Sequence, residues 1–322
     1  MRIYPFLYYK IKNNKKLRKK MKKVNLCIGL SDIHLGHENG LYETLEYCIN
    51  KLIKDINDIK NKFELNRTFM ILNGDIVSGT FVYRNQYLES QIQKNESIIL
   101  GGAYLIHLII DQIEETTGMQ LKVFIVTGNH EGFFRPHPEN FSLGISRRLN
   151  AYGHDTRYVS NHLILNMANG LLEDTYNICA FHSWGGADYS SASPSVVREM
   201  TRAHSQLATL KNIIIQRFLL GHTHWLEVDR YVLGVRFDVT GGFQAWDKTI
   251  SNRESGMLYY LLDEDGEFKV QKISGLKKQL EEETQNLNSK NLRYIANLLD
   301  EGIKYEIEIG VLKEPEAGLE LR

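Results

Sequence analysis

Three times in its first half the chain runs an apolar stretch straight into a short cluster of carboxylate, amide and imidazole side chains. Val24-Asn25-Leu26-Cys27-Ile28-Gly29-Leu30 leads into Ser31-Asp32-Ile33-His34-Leu35-Gly36. Arg67 to Asn73 leads into Gly74-Asp75, and Leu121 to Thr127 leads into Gly128-Asn129-His130-Glu131. Each run has the length and apolar density of a buried strand. Between the first two, Leu41, Leu45, Cys48, Ile49, Leu52, Ile53, Ile56 and Ile59 recur at helical spacing. Between the second and third, a helical pattern covers about Gln86 to Thr117, with Gly101-Gly102 a candidate break and Gly118 a stop. Strand alternating with helix across short loops specifies an α/β fold. Such folds place their sites at the ends of strands, which is where the polar clusters fall.

The second half repeats the device. Tyr176 to Phe181 reads as a strand delivering His182, and Ile213 to Leu220 as one delivering Gly221-His222-Thr223-His224. Helices are expected over Ser142–Ala151 and Ser195–Lys211, and a strand over His162–Met167. Short strands follow over Val228–Leu233, Arg236–Thr240, Met257–Leu262 and Phe268–Ile273, the last two joined by the hairpin signal Asp263-Glu264-Asp265-Gly266. From Ser274 the chain turns charged, with a helix expected through Leu299. The organisation read from this is a basic extension over 1–23, one domain over 24–273, and a C-terminal helical segment with a tail over 274–322.

Composition narrows the partners. Formal net charge is zero, so the molecule as a whole does not advertise binding to nucleic acid or a membrane surface. Ten Lys or Arg and no acid lie within Met1–Lys23. That segment reads either as an arm that touches phosphates or as an extension upstream of a natural start at Met21-Lys22-Lys23-Val24. The three cysteines, Cys27, Cys48 and Cys179, are odd in number and lack metal-site spacing, which reads as buried thiols in a reducing cytoplasm. No apolar stretch is read as reaching the roughly 18 residues of a membrane helix, and no membrane partner is expected.

The five clusters together supply Asp32, His34, Asp75, Asn129, His182, His222 and His224. A single histidine after a strand is ordinarily a satisfied core or surface residue; it is the ordered set that marks these seven. Two divalent metals about 3.5–4 Å apart need a bridging carboxylate, further nitrogen and oxygen ligands from several chain segments, and open positions for water and substrate. Imidazole with carboxylate and amide oxygen suits Mn, Fe, Zn or Ni, with Mn²⁺ the first expectation. Two dications against two aspartates leave a net positive centre that suits a phosphate oxyanion, and a metal-acidified water supplies hydroxide at neutral pH.

Asp-x-His, Gly-Asp, Gly-Asn-His-Glu, His and Gly-His-x-His, in that order from Val24 to Ile273, resemble the calcineurin-like metallophosphoesterase family. The resemblance implies a two-sheet α/β metallophosphoesterase sandwich flanked by helices. It implies one metal on Asp32, His34, Asp75 and His224 and the other on Asp75, Asn129, His182 and His222, bridged by Asp75. It also implies that His130 sits over the substrate and protonates the leaving oxygen or steadies the transition state, while Glu131 orients the His130 loop. Arg135, His137 and Trp184 follow ligand positions closely and are candidate substrate contacts with Glu131; Tyr83 and Arg84 follow Asp75 closely and read equally as phosphate contacts or as helix-entry residues. His37 reads as a solvated loop residue, His107 as core or helix surface, and His154, His162 and His204 as structural.

Substrate is less constrained, because function lives in a site and its loops. Ser31 to Gly36 resembles the opening motif of the double-strand-break repair nucleases, which favours a phosphodiesterase or nuclease acting on DNA or nucleotides. The short stretch after Ile273 leaves no room for the DNA-capping segment of those enzymes. Gly128-Asn129-His130-Glu131 has the form found in Ser/Thr protein phosphatases, which favours a phosphomonoesterase, although only Arg135 follows it where those enzymes are arginine-rich. The third reading, a non-catalytic scaffold, requires lost ligands, and every ligand position is filled. A protein partner could dock on 274–322, whose apolar spacing fits a packed helix equally well.

Overall fold

The strands form two sheets, and burial on both faces explains the near-continuous apolar runs of the central ones. The computed structural model describes residues 21–79, 91–92, 94–131, 140–182, 194–232, 234–243, 254–275 and 284–312; the basic arm up to residue 20 lies outside them. In chain order the elements are β1 (Lys22–Leu30), α1 (Tyr42–Lys60), β2 (Phe63–Asn73), α2 (Asn95–Thr117), β3 (Lys122–Val126), α3 (Phe141–Ala151), β4 (Asp155–Val159), β5 (Leu163–Asn166) and β6 (Asn177–His182). They continue with α4 (Pro194–Lys211), β7 (Arg217–Gly221), β8 (Glu227–Val232), β9 (Val235–Val239), β10 (Gly256–Asp263), β11 (Phe268–Ser274) and α5 (Thr284–Glu308).

The first sheet has the order β11-β10-β1-β2-β3-β4 and the second β5-β6-β7-β9-β8. β1 to β4 run parallel, as do β6, β7 and β9, while β10, β11, β5 and β8 pair antiparallel at the flanks. Side chains alternate between faces along a strand, and that alternation builds the layers. Val24, Leu26, Ile28 and Leu30 of β1 meet α1, α2, α3 and α5 on one side, with Met70 and Leu72 of β2 and Val123 and Ile125 of β3. Cys27, Phe69, Ile71, Phe124 and Val126 point the other way, against Ile178, Ala180 and Leu219 of the second sheet. The outer face of that second sheet, with Phe181, Phe218, Leu220 and Phe237, is covered by Val196 and Met200 of α4. The result is a helix–sheet–sheet–helix sandwich.

Four expectations are corrected. β4 was not foreseen: only Thr156 is buried in its run Asp155-Thr-Arg-Tyr-Val159, so a half-exposed edge strand left no apolar signal. α2 does not break at Gly101-Gly102, because a methyl at Gly102 would meet Ile145 and Val77; the glycine admits α3 at close range. α5 continues past Leu299 to Glu308 and joins the helix-side core through Ile295 and Leu298. Finally, α2 is long and apolar enough by length and composition to cross a membrane, contrary to the sequence reading, but 61% of its apolar window is buried inside the protein.

Candidate metal centre

Four of the seven predicted donors leave the C-terminal ends of first-sheet strands: Asp32 and His34 after β1, Asp75 after β2 and Asn129 after β3. The other three come from the second sheet, His182 at the end of β6 and His222 and His224 after β7. The loops beyond β1 and β2 continue to run side by side. Asp32 N–H donates to Gly74 O at 3.0 Å, His34 N–H to Asp75 O at 3.0 Å and Leu35 N–H to Ile76 O at 2.9 Å. This tape fixes where Asp32, His34 and Asp75 emerge.

Five of the seven hold left-handed backbone: Asp32 (φ 53°), His34 (φ 50°), Asp75 (φ 52°), His222 (φ 80°) and His224 (φ 55°). Non-glycine residues with such φ are uncommon, though Asp and His are enriched among them, and residues so held cluster at functional sites. Here all five stand just beyond strand ends, and their side chains converge. Gly128 serves the same crowding: a β-carbon there would collide with the Asp75 carboxylate and backbone.

The side chains converge as two groups. Asp32, His34 and His224 form one, with His224 Nε2 at 3.1 Å from Asp32 Oδ1 and at 3.1 Å from His34 Nε2. Asp75, His182 and His222 form the other, with His182 Nε2 at 3.1 Å from Asp75 Oδ2. Asn129 Oδ1 closes it, at 2.9 Å from His182 Nε2 and 2.8 Å from His222 Nδ1. Asp75 stands between the groups, since its Oδ2 is also 3.9 Å from His34 Nε2. His182 Nδ1 lies 2.8 Å from the Asn73 carbonyl, which can only accept, so Nδ1 carries the proton and Nε2 faces the carboxylate.

Asp32 and Asp75 are 0% and 1% exposed, a burial that is unfavourable for carboxylates unless positive charge compensates it. Burial pushes Asp32 upward, but the imidazoles of His224 and His182 more than reverse that and hold it below the usual carboxylate range. Asp75 is likewise held low by His182 and His130 against burial. Burial lowers His182, yet Asp75 and Asp32 outweigh it and push the ring up to about 10. His222, under burial and the His182 charge, falls to about 4. The carboxylate pair therefore draws positive charge to this point, and the donor set of two carboxylates, one amide oxygen and four imidazoles fits divalent metal ions.

His130 lies beside the groups in the 3₁₀ turn Asn129–Glu131. Its backbone N–H donates to Asp75 Oδ1 at 2.8 Å, and its ring stands edge-on to His34 with centroids 4.6 Å apart at 85°. It is close enough to group with His34 and Asp75. His37, read as solvated, is only 3% exposed, and its Nδ1 accepts the Asn39 N–H at 3.1 Å. Arg135, His137, Trp184, Tyr83 and Arg84 lie outside the described residues, as does the side chain of Glu131. Two supporting residues stand within the clusters read from sequence but received no role there. Asn73 Nδ2 donates to Phe181 O and Leu219 O, at 3.0 and 3.1 Å, and Ser31 Oγ bonds both Asp32 and Thr240. Their signal was position alone, at the start of a ligand cluster.

A two-sheet α/β sandwich with carboxylate, amide and imidazole groups gathered at its strand ends defines the metallophosphoesterase class. A family model described as calcineurin-like phosphoesterase matches residues 28–226, and the chain belongs to that family. No curated protein sequence matches it. Among solved structures, similarity extends to the wild-type Vps29 of Entamoeba histolytica complexed with zinc, at 13% identity and TM-score 0.34, over 77% of this chain and 98% of that one. It extends to a predicted phosphoesterase of Streptococcus pneumoniae, at 12% identity and TM-score 0.32, over 78% and 98%. A 5'-nucleotidase of Candida albicans aligns at 11% identity and TM-score 0.39, over 90% of this chain and 59% of its own.

Proposed function

We propose that the protein is a phosphoesterase that uses two divalent metal ions, Mn²⁺ first among them, and acts on phosphodiesters of nucleic-acid type. The observation that carries the reaction class is the convergence of seven donors from both sheets on two adjoining points, with Asp75 between them. Asp32, His34, Asp75 and His224 would hold one ion, and Asp75, Asn129, His182 and His222 the other. Bound there, the ions would supply Lewis acidity toward phosphoryl oxygens and an acidified water. The residues around them do the positioning. Asn73 fixes the tautomer of His182, and the His130 N–H steadies one Asp75 oxygen so that the other is free to face the imidazoles. The His130 ring, which stands edge-on to His34, would give a proton to the departing oxygen. The three buried free thiols suit a reducing compartment, the cytoplasm.

The diester preference rests on the Ser31–Gly36 opening motif; Gly128-Asn129-His130-Glu131 favours a monoesterase as the second reading. Purified protein with Mn²⁺ is offered p-nitrophenyl phosphate, bis-p-nitrophenyl phosphate and labelled single- and double-stranded DNA, beside Asp75→Asn. Cleavage of the diester and of DNA by the wild type, with Asp75→Asn folded but depleted of metal and inactive, is the expected result. Turnover of the monoester alone would move the assignment to a phosphatase. Silence on all four with no metal retained would overturn the enzyme reading.

A further inference from the structure

A second group of metal-type donors lies away from the strand ends and shares no residue with the first. His107 is in the middle of α2, Asp111 is one turn further along the same helix, and His154 lies between α3 and β4. His107 Nδ1 and His154 Nε2 are 2.8 Å apart. Asp111 Oδ2 is 3.4 Å from His107 Nε2, and Asp111 Oδ1 is 3.8 Å from His154 Nε2. The two imidazoles are 6% and 8% exposed, whereas the Asp111 side chain is 53% exposed and opens the group to water. Tyr104, Tyr152 and Tyr305 wall the His107 ring, Tyr305 of α5 stacking on it at 4.4 Å between centroids.

We infer that His107, Asp111 and His154 form a site for a transition-metal dication of the zinc class, which ties α2 to the α3–β4 junction. The spacing is the first argument. One donor atom from each of the three residues lies within 4.8 Å of the other two, close enough for small side-chain shifts to draw all three onto a tetrahedral ion, whose donors at about 2.0–2.2 Å stand about 3.3–3.6 Å apart. Chemistry is the second: two nitrogens with one carboxylate oxygen suit zinc, cobalt, nickel or copper rather than calcium or magnesium. The helix spacing is the third, since residues four apart share one face and His154 completes the set from a neighbouring element. Burial holds both imidazoles below their ordinary range, opposed by Asp111, so they are neutral and carry lone pairs at neutral pH. Without an ion the three residues form a relay, His107 meeting Asp111 through Nε2 and His154 through Nδ1; an ion would replace it with one bond from each residue.

The test counts metal. Full-length protein stripped by chelator is reloaded with Zn²⁺ or Co²⁺, gel-filtered and assayed for metal per chain, as wild type, Asp111→Ala and His154→Gln. The wild type should retain one equivalent more than either variant, and the wild-type minus Asp111→Ala cobalt spectrum should show the absorption of a four-coordinate ion. Because the comparison is a difference, it holds whatever number of ions the strand-end centre retains. Asp111 lies on a helix surface, so its alanine variant keeps the helix, which circular dichroism verifies. Zinc should also raise the unfolding midpoint of the wild type more than that of Asp111→Ala. Equal stoichiometry together with equal zinc-induced shifts would overturn the site.

Discussion

Asp32, His34, Asp75, His222 and His224 all occupy left-handed backbone at or just beyond the strand ends where the donors converge. Each such residue costs of order 1–3 kcal/mol, a strain tolerated where the surrounding structure fixes it. The same crowding makes Gly128 a sensitive position. In Gly128→Ala the new methyl meets the Asp75 carboxylate and must displace it. A displacement near 1 Å at reacting groups lowers rate by about 10²-fold, and a loss of that order in kcat, with the fold retained by circular dichroism, is expected. For His130→Ala the expectation differs: bound metal unchanged and kcat lower by about 10²–10⁴-fold, the deficit growing as the leaving group becomes more basic. Full activity of that variant on an alkyl phosphodiester would remove His130 from the chemistry.

At the scale of elements, the strand-then-ligand rhythm was readable because buried strands are continuous apolar runs and their polar successors stand out. Every donor named from sequence lies at the strand end expected for it. β4 was not readable, being a half-exposed edge whose pairing to β3 comes from neighbours rather than from its own composition. The reach of α5 was hidden for a related reason, since its last turns are held by polar contacts. Glu306 is fully buried and takes bonds from Arg148 of α3 and from Tyr152, while Arg148 also donates to Glu96 at 2.8 Å. Asn291 Nδ2, further up α5, donates to Glu38 O and Gly40 O at 3.0 and 2.9 Å. Glu306→Ala leaves Arg148 partly unpaired in a half-buried place. Because Arg148 keeps Glu96, the penalty should fall near the lower end for breaking a buried pair, about 2–3 kcal/mol. A urea midpoint unchanged in that variant would show that α5 is held by its apolar face alone.

At the scale of the whole molecule, three layers of core enclose all three thiols. Burial pushes Cys48 and Cys179 up to about 12 and Cys27 higher still, and the thiolate is the reactive form. Iodoacetamide at pH 8 should therefore leave the native protein unmodified and label Cys27, Cys48 and Cys179 together once it is denatured; partial labelling of one in the native state would locate a region that opens by itself. The seam between the sheets has a kinetic side as well. Asn73, at the end of β2, donates to carbonyls of β6 and β7 and accepts from His182, so the two halves of the donor set meet only while the sandwich is closed. An ion held by both sheets can leave as fast as its own bonds break or as the sheets part. If the ion is released only when the sheets part, metal exchange becomes a clock for the opening of the fold, and a metal-loaded sample would report, hour by hour, how often the two sheets come apart.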